Sequence, residues 1–325
     1  MFDFADAENH ASYMKWGNLR RMRGGSHLVY GRLGARGLVE RFSIESGGVT
    51  IAGKVYSQGL SRVAPAIVLC HEFGLSMLST SRYARLLCRH GWHVFVFDFP
   101  GSGVGKSRGR DSTQASVLTE VGDLGVVYDY VRSRPYVDKT RVILAGASQG
   151  GLVAALFAAG CGGAHGTAWD GDSQGADALG VAWDGDARGS ARQKPEVSAL
   201  VLYYPALNIP DDARRGNMLG RKIDPDRVPE SFRVLGYVRL GPRYVRDARA
   251  LDPWREIARY EGPVFICHGA KDDIVDIGYA RKAAEVYPHA RLVELPGARH
   301  VFAMPWTVHR AVRETVGFLK EAAKV

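Results

Sequence analysis

The chain has 325 residues, 46% hydrophobic and 24% charged, the profile of a soluble globular protein with room for one large α/β domain and an insertion. No apolar run approaches the ~20 residues needed to cross a membrane, and the opening Met1-Phe2-Asp3-Phe4-Ala5-Asp6 has no charged region leading into an apolar core, so neither a membrane partner nor a secretory signal is expected. The net charge of +9 is spread along the chain with no aromatic–basic module, which argues against a nucleic-acid partner.

Residues 1–38 read as a basic, disordered tail, in which Lys15, Arg20, Arg21, Arg23, Arg32 and Arg36 meet no acid and glycines interrupt any period. From residue 39 the pattern is regular. Residues 39–45 and 49–56 alternate and are joined by Gly47-Gly48, a hairpin signal. Residues 66–70 form a continuous apolar strand, 80–90 a helix stopped by Gly91, and 92–97 a second buried strand. A long amphipathic helix over 115–133 ends before Pro135, and a strand at 141–145 leads into a helix over 152–159. Further strands fall at 197–204, 264–267 and 291–295, with helices at 277–286 and 307–323. Strands alternating with helices predict an α/β fold, a mostly parallel central sheet with helices on both faces, spanning 39–325.

Two segments break this rhythm. Residues 160–195 are rich in glycine, alanine and aspartate, and echo Trp169-Asp170-Gly171-Asp172 in Trp183-Asp184-Gly185-Asp186. They lack the closing glutamate of a calcium loop and read as a flexible insert away from catalysis. Residues 207–252 carry scattered prolines with short helical pieces, and follow a strand at the edge of the sheet where α/β proteins bind ligands. They read as a lid insertion. The four cysteines, Cys70, Cys88, Cys161 and Cys267, have no paired spacing and read as reduced thiols in a cytoplasmic protein, not as zinc ligands.

The chemistry centres on Gly146-Ala147-Ser148-Gln149-Gly150, set between a strand and a helix. Gly-x-Ser-x-Gly in that context is a nucleophile elbow: the turn is too tight for bulk two residues either side of the serine, and it lifts the hydroxyl clear of the sheet. Serine needs a base, and the base an orienting acid, in the order serine, acid, histidine. Asp272, after the strand ending at Cys267, is the favoured acid over Asp273 and Asp276 on its spacing from His268-Gly269. His300, just past the last strand, is the base; His309 falls within the final helix and reads as a surface residue. The oxyanion donors are the backbone N–H groups of Gln149 and of Phe73 in His71-Glu72-Phe73-Gly74. His71 is expected to shape that loop and not to act as a second base. Gly101-Ser102-Gly103-Val104-Gly105-Lys106-Ser107 imitates a phosphate loop, but Pro100 occupies the required first glycine and no helix opens at Ser107, so it reads as a glycine-rich turn under the active site. No metal or cofactor is called for.

These motifs, with Asp98-Phe99-Pro100-Gly101 and Gly297-Ala298-Arg299-His300, resemble the α/β-hydrolase fold, and more narrowly the bacterial cinnamoyl (feruloyl) esterase group. The narrower likeness rests on the lid, where Tyr204-Pro205-Ala206-Leu207 and Leu240-Gly241-Pro242-Arg243-Tyr244 match that group. It implies a serine esterase acting through an acyl-enzyme on a small hydroxycinnamate ester, with Asp212 and Tyr244 lining the pocket for its phenolic end. Glu72 stands where the group usually has glycine, and the turn over Gly101–Ser107 is longer. The lid arginines Arg214, Arg215, Arg221, Arg243 and Arg246 suggest either an anionic alcohol part or a solvated basic surface. A general short-chain esterase, a serine peptidase and a noncatalytic binding protein are the alternatives, and a homodimer is compatible with the chain.

Overall fold

The computed structural model describes residues 31–33, 37–161 and 195–323. Its framework starts with the hairpin of β2 (Gly37–Ser46) and β3 (Val49–Ser57), in which Gly47 and Gly48 both take left-handed φ of 54° and 79°. Two consecutive positive φ values are what a two-residue hairpin turn with the right twist requires. A short strand β1 (Gly31–Leu33) pairs antiparallel with β2, register Arg32 to Leu38. Residues 31–33 and 37–38, read from sequence as tail, therefore belong to the sheet: backbone pairing, not a periodic side-chain pattern, holds them. Residues 1–30 and the core of the insert, 162–194, lie outside the described residues, together with the calls made on them.

After the hairpin come β4 (Ala64–Cys70), helix α1 (Met77–Leu87), β5 (His93–Phe97), α2 (Val117–Arg132), β6 (Val137–Ala147), α3 (Gln149–Ala158) and β7 (Ala199–Tyr203). Helix α2 begins at Val117, two residues after the predicted start, because Ser116 and Thr119 form a reciprocal capping box. The lid then contributes α4 (Ile209–Arg214), β8 (Asn217–Met218), β9 (Arg221–Lys222), β10 (Phe232–Val234), β11 (Val238–Leu240) and α5 (Pro242–Ala250). The chain closes with α6 (Pro253–Ile257), β12 (Val264–Gly269), α7 (Ile277–Val286), β13 (Ala290–Leu295) and α8 (Pro305–Ala322). The lid thus holds two small antiparallel hairpins, β8–β9 and β10–β11, that short apolar spacing did not reveal.

The nine-stranded sheet runs β1-β2-β3-β5-β4-β6-β7-β12-β13, antiparallel through β3–β5 and parallel from β5 onward. Strand β4 shows why its sequence is a continuous apolar run. Ala66, Val68 and Cys70 pack into the core that α2 and α3 cover, while Ile67 and Leu69 pack into the opposite core with residues of α1 and α8. All five are buried, as a strand covered on both faces demands. The parallel order sends the C-terminal ends of β4, β5, β6, β7, β12 and β13 to one edge, and every candidate site residue outside the lid lies in a loop or helix start at that edge.

Candidate active site

At the end of β6 the chain turns abruptly into α3, and Ser148 sits on the turn with φ 51° and ψ −120°. A non-glycine residue there costs on the order of 1–3 kcal/mol and persists only where its surroundings enforce it. They do so here. A Cβ on Gly146 would lie 2.1 Å from the Gly150 carbonyl oxygen, and one on Gly150 would lie 2.4 Å from that of His71. The Ser148 backbone is pinned on both sides, its N–H donating to the Tyr203 carbonyl at 3.0 Å and its carbonyl accepting from Ala206 at 2.9 Å. The sequence reason for two glycines around the serine is therefore close backbone approach across three loops.

The Ser148 hydroxyl lies 2.9 Å from Nε2 of His300, and Nδ1 of His300 lies 2.7 Å from Oδ2 of Asp272. An ionised carboxylate only accepts, so Nδ1 carries the proton and Nε2 offers its lone pair to the serine. Asp272 is wholly buried at its side chain, and its Oδ1 accepts the N–H groups of Ile274 and Val275 at 2.9 Å each. Burial by itself raises the pKa of this carboxyl. The hydrogen bonds from His268 and His300, the His300 charge and the Val275 N–H outweigh it, holding Asp272 well below the usual carboxylate range. Asp273, one residue on, points outward and pairs with Arg299 at 2.6 Å, and Asp276 caps α7 through the Gly278 N–H. The geometry separates three neighbouring aspartates that spacing alone could only rank.

The other expected site residues divide. Phe73 lies in the loop after β4 and Gln149 opens α3, and among the described residues no loop or cap hydrogen bond uses either backbone N–H. His71 is buried, and burial lowers its pKa. The Phe99 N–H donates to its Nε2 at 3.1 Å, so Nδ1 must carry the proton given to the Glu72 carbonyl at 2.7 Å. The ring ties the β4 loop to the β5 loop. His309 is exposed on α8.

The two lid residues named from the resemblance both hold hydrogen bonds within the protein. Tyr244 is 2% exposed, and its hydroxyl donates to Oε1 of Gln149, while its ring meets Phe73 edge-on at 5.8 Å. Asp212 accepts from Asn208 at 2.6 Å and from Arg215 at 2.7 Å, both partners on or next to its own short helix. Tyr244 thus contacts both Phe73 and Gln149, and Asp212 closes a turn of the lid. Four of the lid arginines are likewise engaged: Arg214 with Asp211, Arg215 with Asp212, and Arg243 and Arg246 with Asp247.

Sequence reasoning missed three supporting groups. Glu120, buried in the first turn of α2, accepts from Gln149 Nε2 at 2.7 Å, and burial pushes its pKa up to about 8. Glu72, the departure from glycine, accepts from Tyr204 at 2.9 Å and from Ser79; the Tyr204 ring stands edge-on to His300 at 4.8 Å. His268, fully buried, places Nε2 3.1 Å from the same Asp272 oxygen that His300 uses. Only the unusual polar residue in an apolar stretch hinted at any of them.

The fold and this serine–histidine–aspartate constellation define a hydrolase class. Residues 67–315 match the model of the alpha/beta hydrolase family, and the chain belongs to that family. Among curated proteins it is 22% identical over 303 residues to the quorum-quenching protein AidA of Acinetobacter baumannii (strain MDR-ZJ06), covering 86% of this chain and 94% of that one. Among solved structures it is similar to Est1E from Butyrivibrio proteoclasticus with ferulic acid bound, at TM-score 0.71 and 22% identity over 87% of this chain and all of the other. It is also similar to the esterase domain of a Rhodothermus marinus protein, at TM-score 0.56 and 16% identity over 87% of this chain and 98% of that one. At such identities the structural likeness establishes the fold alone.

Proposed function

We propose that the chain is a serine carboxylester hydrolase working through an acyl-enzyme. The observation that carries this reading is the unbroken hydrogen-bonded line from Ser148 through His300 to Asp272. Ser148 attacks the ester carbonyl while His300 takes its proton at Nε2. Asp272 holds the ring in the reactive tautomer and stabilises the imidazolium. The N–H groups of Phe73 and Gln149 receive the oxyanion, helped by the start of α3. His300 then returns the proton to the leaving alcohol, and water repeats the sequence on the acyl-enzyme.

Hydroxycinnamate esters are the proposed substrate class. The support is the likeness to a structure with ferulic acid bound, with the Phe73 and Tyr244 rings in edge-on contact beside the elbow. The nearly full-length match to a quorum-quenching protein favours a second reading, in which the ester belongs to a signalling molecule. A cytoplasmic location accords with the four unpaired cysteines, three of them buried. The test is labelling of Ser148 by a fluorophosphonate, followed by a panel of methyl ferulate, p-nitrophenyl esters, cyclic esters and aminoacyl anilides. Labelling with preference for the ferulate is expected. Absence of labelling would sink the hydrolase reading, and preference for a cyclic ester or an anilide would replace the substrate class.

A further inference from the structure

The glycine-rich turn that only imitates a phosphate loop borders a cleft. The cavity, about 420 Å³, opens between residues 99–112 and the lid hairpin β10–β11, and its lining includes Ser102, Arg108, Arg110, Asp111, Arg233 and Arg239. Its charge is unbalanced. Arg110 is answered by Asp123 through two hydrogen bonds at 2.5 and 3.0 Å. Among the described residues Arg108 donates to the carbonyls of Gly105 and Ser107, which leave its charge in place. Among the described residues neither Arg233 nor Arg239 forms a salt bridge. Among the described residues Asp111 is the lone carboxylate in the lining; it attracts Arg239, and one carboxylate leaves the charge of Arg108, Arg233 and Arg239 in excess.

The two lid arginines are also placed against each other. Arg233 pairs with Arg239 across the hairpin, while Phe232, Val234, Val238 and Leu240 turn inward to the core. Like charges directly opposite on one sheet face destabilise it, and a shared anion between them removes that cost. A second, independent observation points to a ligand. Ser102, only 6% exposed, lines the same cleft, and its hydroxyl has no hydrogen-bond partner. A buried hydroxyl left unpaired costs on the order of 1–3 kcal/mol. An oxyanion in the cleft could accept from this hydroxyl and from both guanidinium forks, the geometry that suits carboxylate and phosphate.

We propose that this cleft is an oxyanion-binding site, taking a carboxylate or phosphate group. It sits one loop from the chemistry. Tyr237, at the hairpin turn, donates to the Gly74 carbonyl at 3.0 Å, and a Cβ on Gly103 would meet Val238 at 3.5 Å and that same carbonyl at 3.8 Å. Gly74 directly follows Phe73, so an anion in the cleft bears on the oxyanion loop from its outer side. The group is either the acidic end of the substrate or a free anion. Anion binding stands independently of the esterase reading; only the choice between these two sources rests on it.

Isothermal titration of the full chain with inorganic phosphate at low ionic strength tests the site, comparing wild type with Arg233→Gln/Arg239→Gln and with Ser102→Ala. Saturable binding, weakened about tenfold or more in the double variant and screened by salt, is expected. Phosphate binding that is absent from wild type, or unchanged in the double variant, overturns the proposal. Conversion of Arg233 and Arg239 to Lys retains the charge and loses the forked geometry, so partial binding there confirms that a folded cleft is being read. Matched neutral and carboxylate-bearing p-nitrophenyl esters identify the source. A rise in the ratio of their KM values in the double variant assigns the anion to the substrate; an unchanged ratio with lost phosphate binding assigns it to a free anion. If neither ester is hydrolysed by wild type, the esterase reading fails while the phosphate result still decides the site.

Discussion

The sheet edge and the lid respond differently to the same kind of reasoning. At the edge, Ser148, Asp272 and His300 come from three separate loops yet meet at 2.7 and 2.9 Å, because parallel strands deliver all three loops to one place. In the lid, Asp212 and Tyr244 occupy the expected positions in sequence, and their polar atoms hydrogen-bond to Arg215, Asn208 and Gln149. The lesson is that a loop tethered by strand ends inherits its geometry from the sheet, whereas an insertion folded on itself chooses partners by local packing.

The sharpest way to break this comparison is at the nucleophile. Ser148→Ala should lower ester turnover by about 10⁴–10⁶-fold with the fold intact; near-wild-type rates on any ester of the panel would remove the sheet edge as the reactive site. Next comes the acid. Asp272→Asn should cost about 10⁴-fold in kcat, since an amide favours the wrong tautomer of His300. Asp273→Asn should change little, because its ion pair with Arg299 is exposed and such pairs contribute about 0–1 kcal/mol. Steady-state kinetics of the two variants decides, and the reverse ranking would reassign the acid.

Smaller effects probe the braces behind the edge. Glu120 has a folded pKa of about 8 against an ordinary 4.5, so between those values the native state holds a proton that the unfolded chain releases. The stability tied to neutral Glu120 is therefore full below pH 4.5 and declines as pH rises toward 8. Urea unfolding at pH 5.5 and 7.5 should show wild type losing up to about 2 kcal/mol relative to Glu120→Gln, and parallel curves would place the titration elsewhere. Tyr244→Phe leaves the Gln149 side-chain carbonyl without its donor and should destabilise the fold by about 1–3 kcal/mol, read by the same unfolding. It should lower rates on phenolic and non-phenolic esters alike. The smallest effect is expected for Asp212→Ala, with equal and slight changes on methyl ferulate and a simple aryl acetate. A loss confined to the phenolic ester would restore that carboxylate as a recognition group.

Much of the fold was legible because its signals are local. Gly47-Gly48, the Ser116 cap, Gly91 and the largely apolar strands β4 and β5 each announce a conformation that few other residues accept. Strand ends were less legible. The predicted strand at 141–145 extends to Val137–Ala147, since pairing resumes at Val137 beyond a register shift and runs on to Ala147 at the other end. The lid hairpins were hidden as well, with strands of two and three residues too short to show alternation. Within the site, Ser148 and His300 were marked by motif and order. Glu72, Glu120 and His268 were not, because a buried polar residue is defined by a partner far away in the chain.

From the residues alone come the elbow, the order of nucleophile, acid and base, and the α/β framework, because each rests on steric limits or short-range periodicity that neighbours in sequence enforce. Tertiary structure alone decided that Asp272 and not Asp273 meets His300, that Tyr244 supports Gln149, and that Arg233 and Arg239 face a common cleft. Those outcomes depend on which side chains are desolvated together, and desolvation is a property of the packed chain that no local stretch contains.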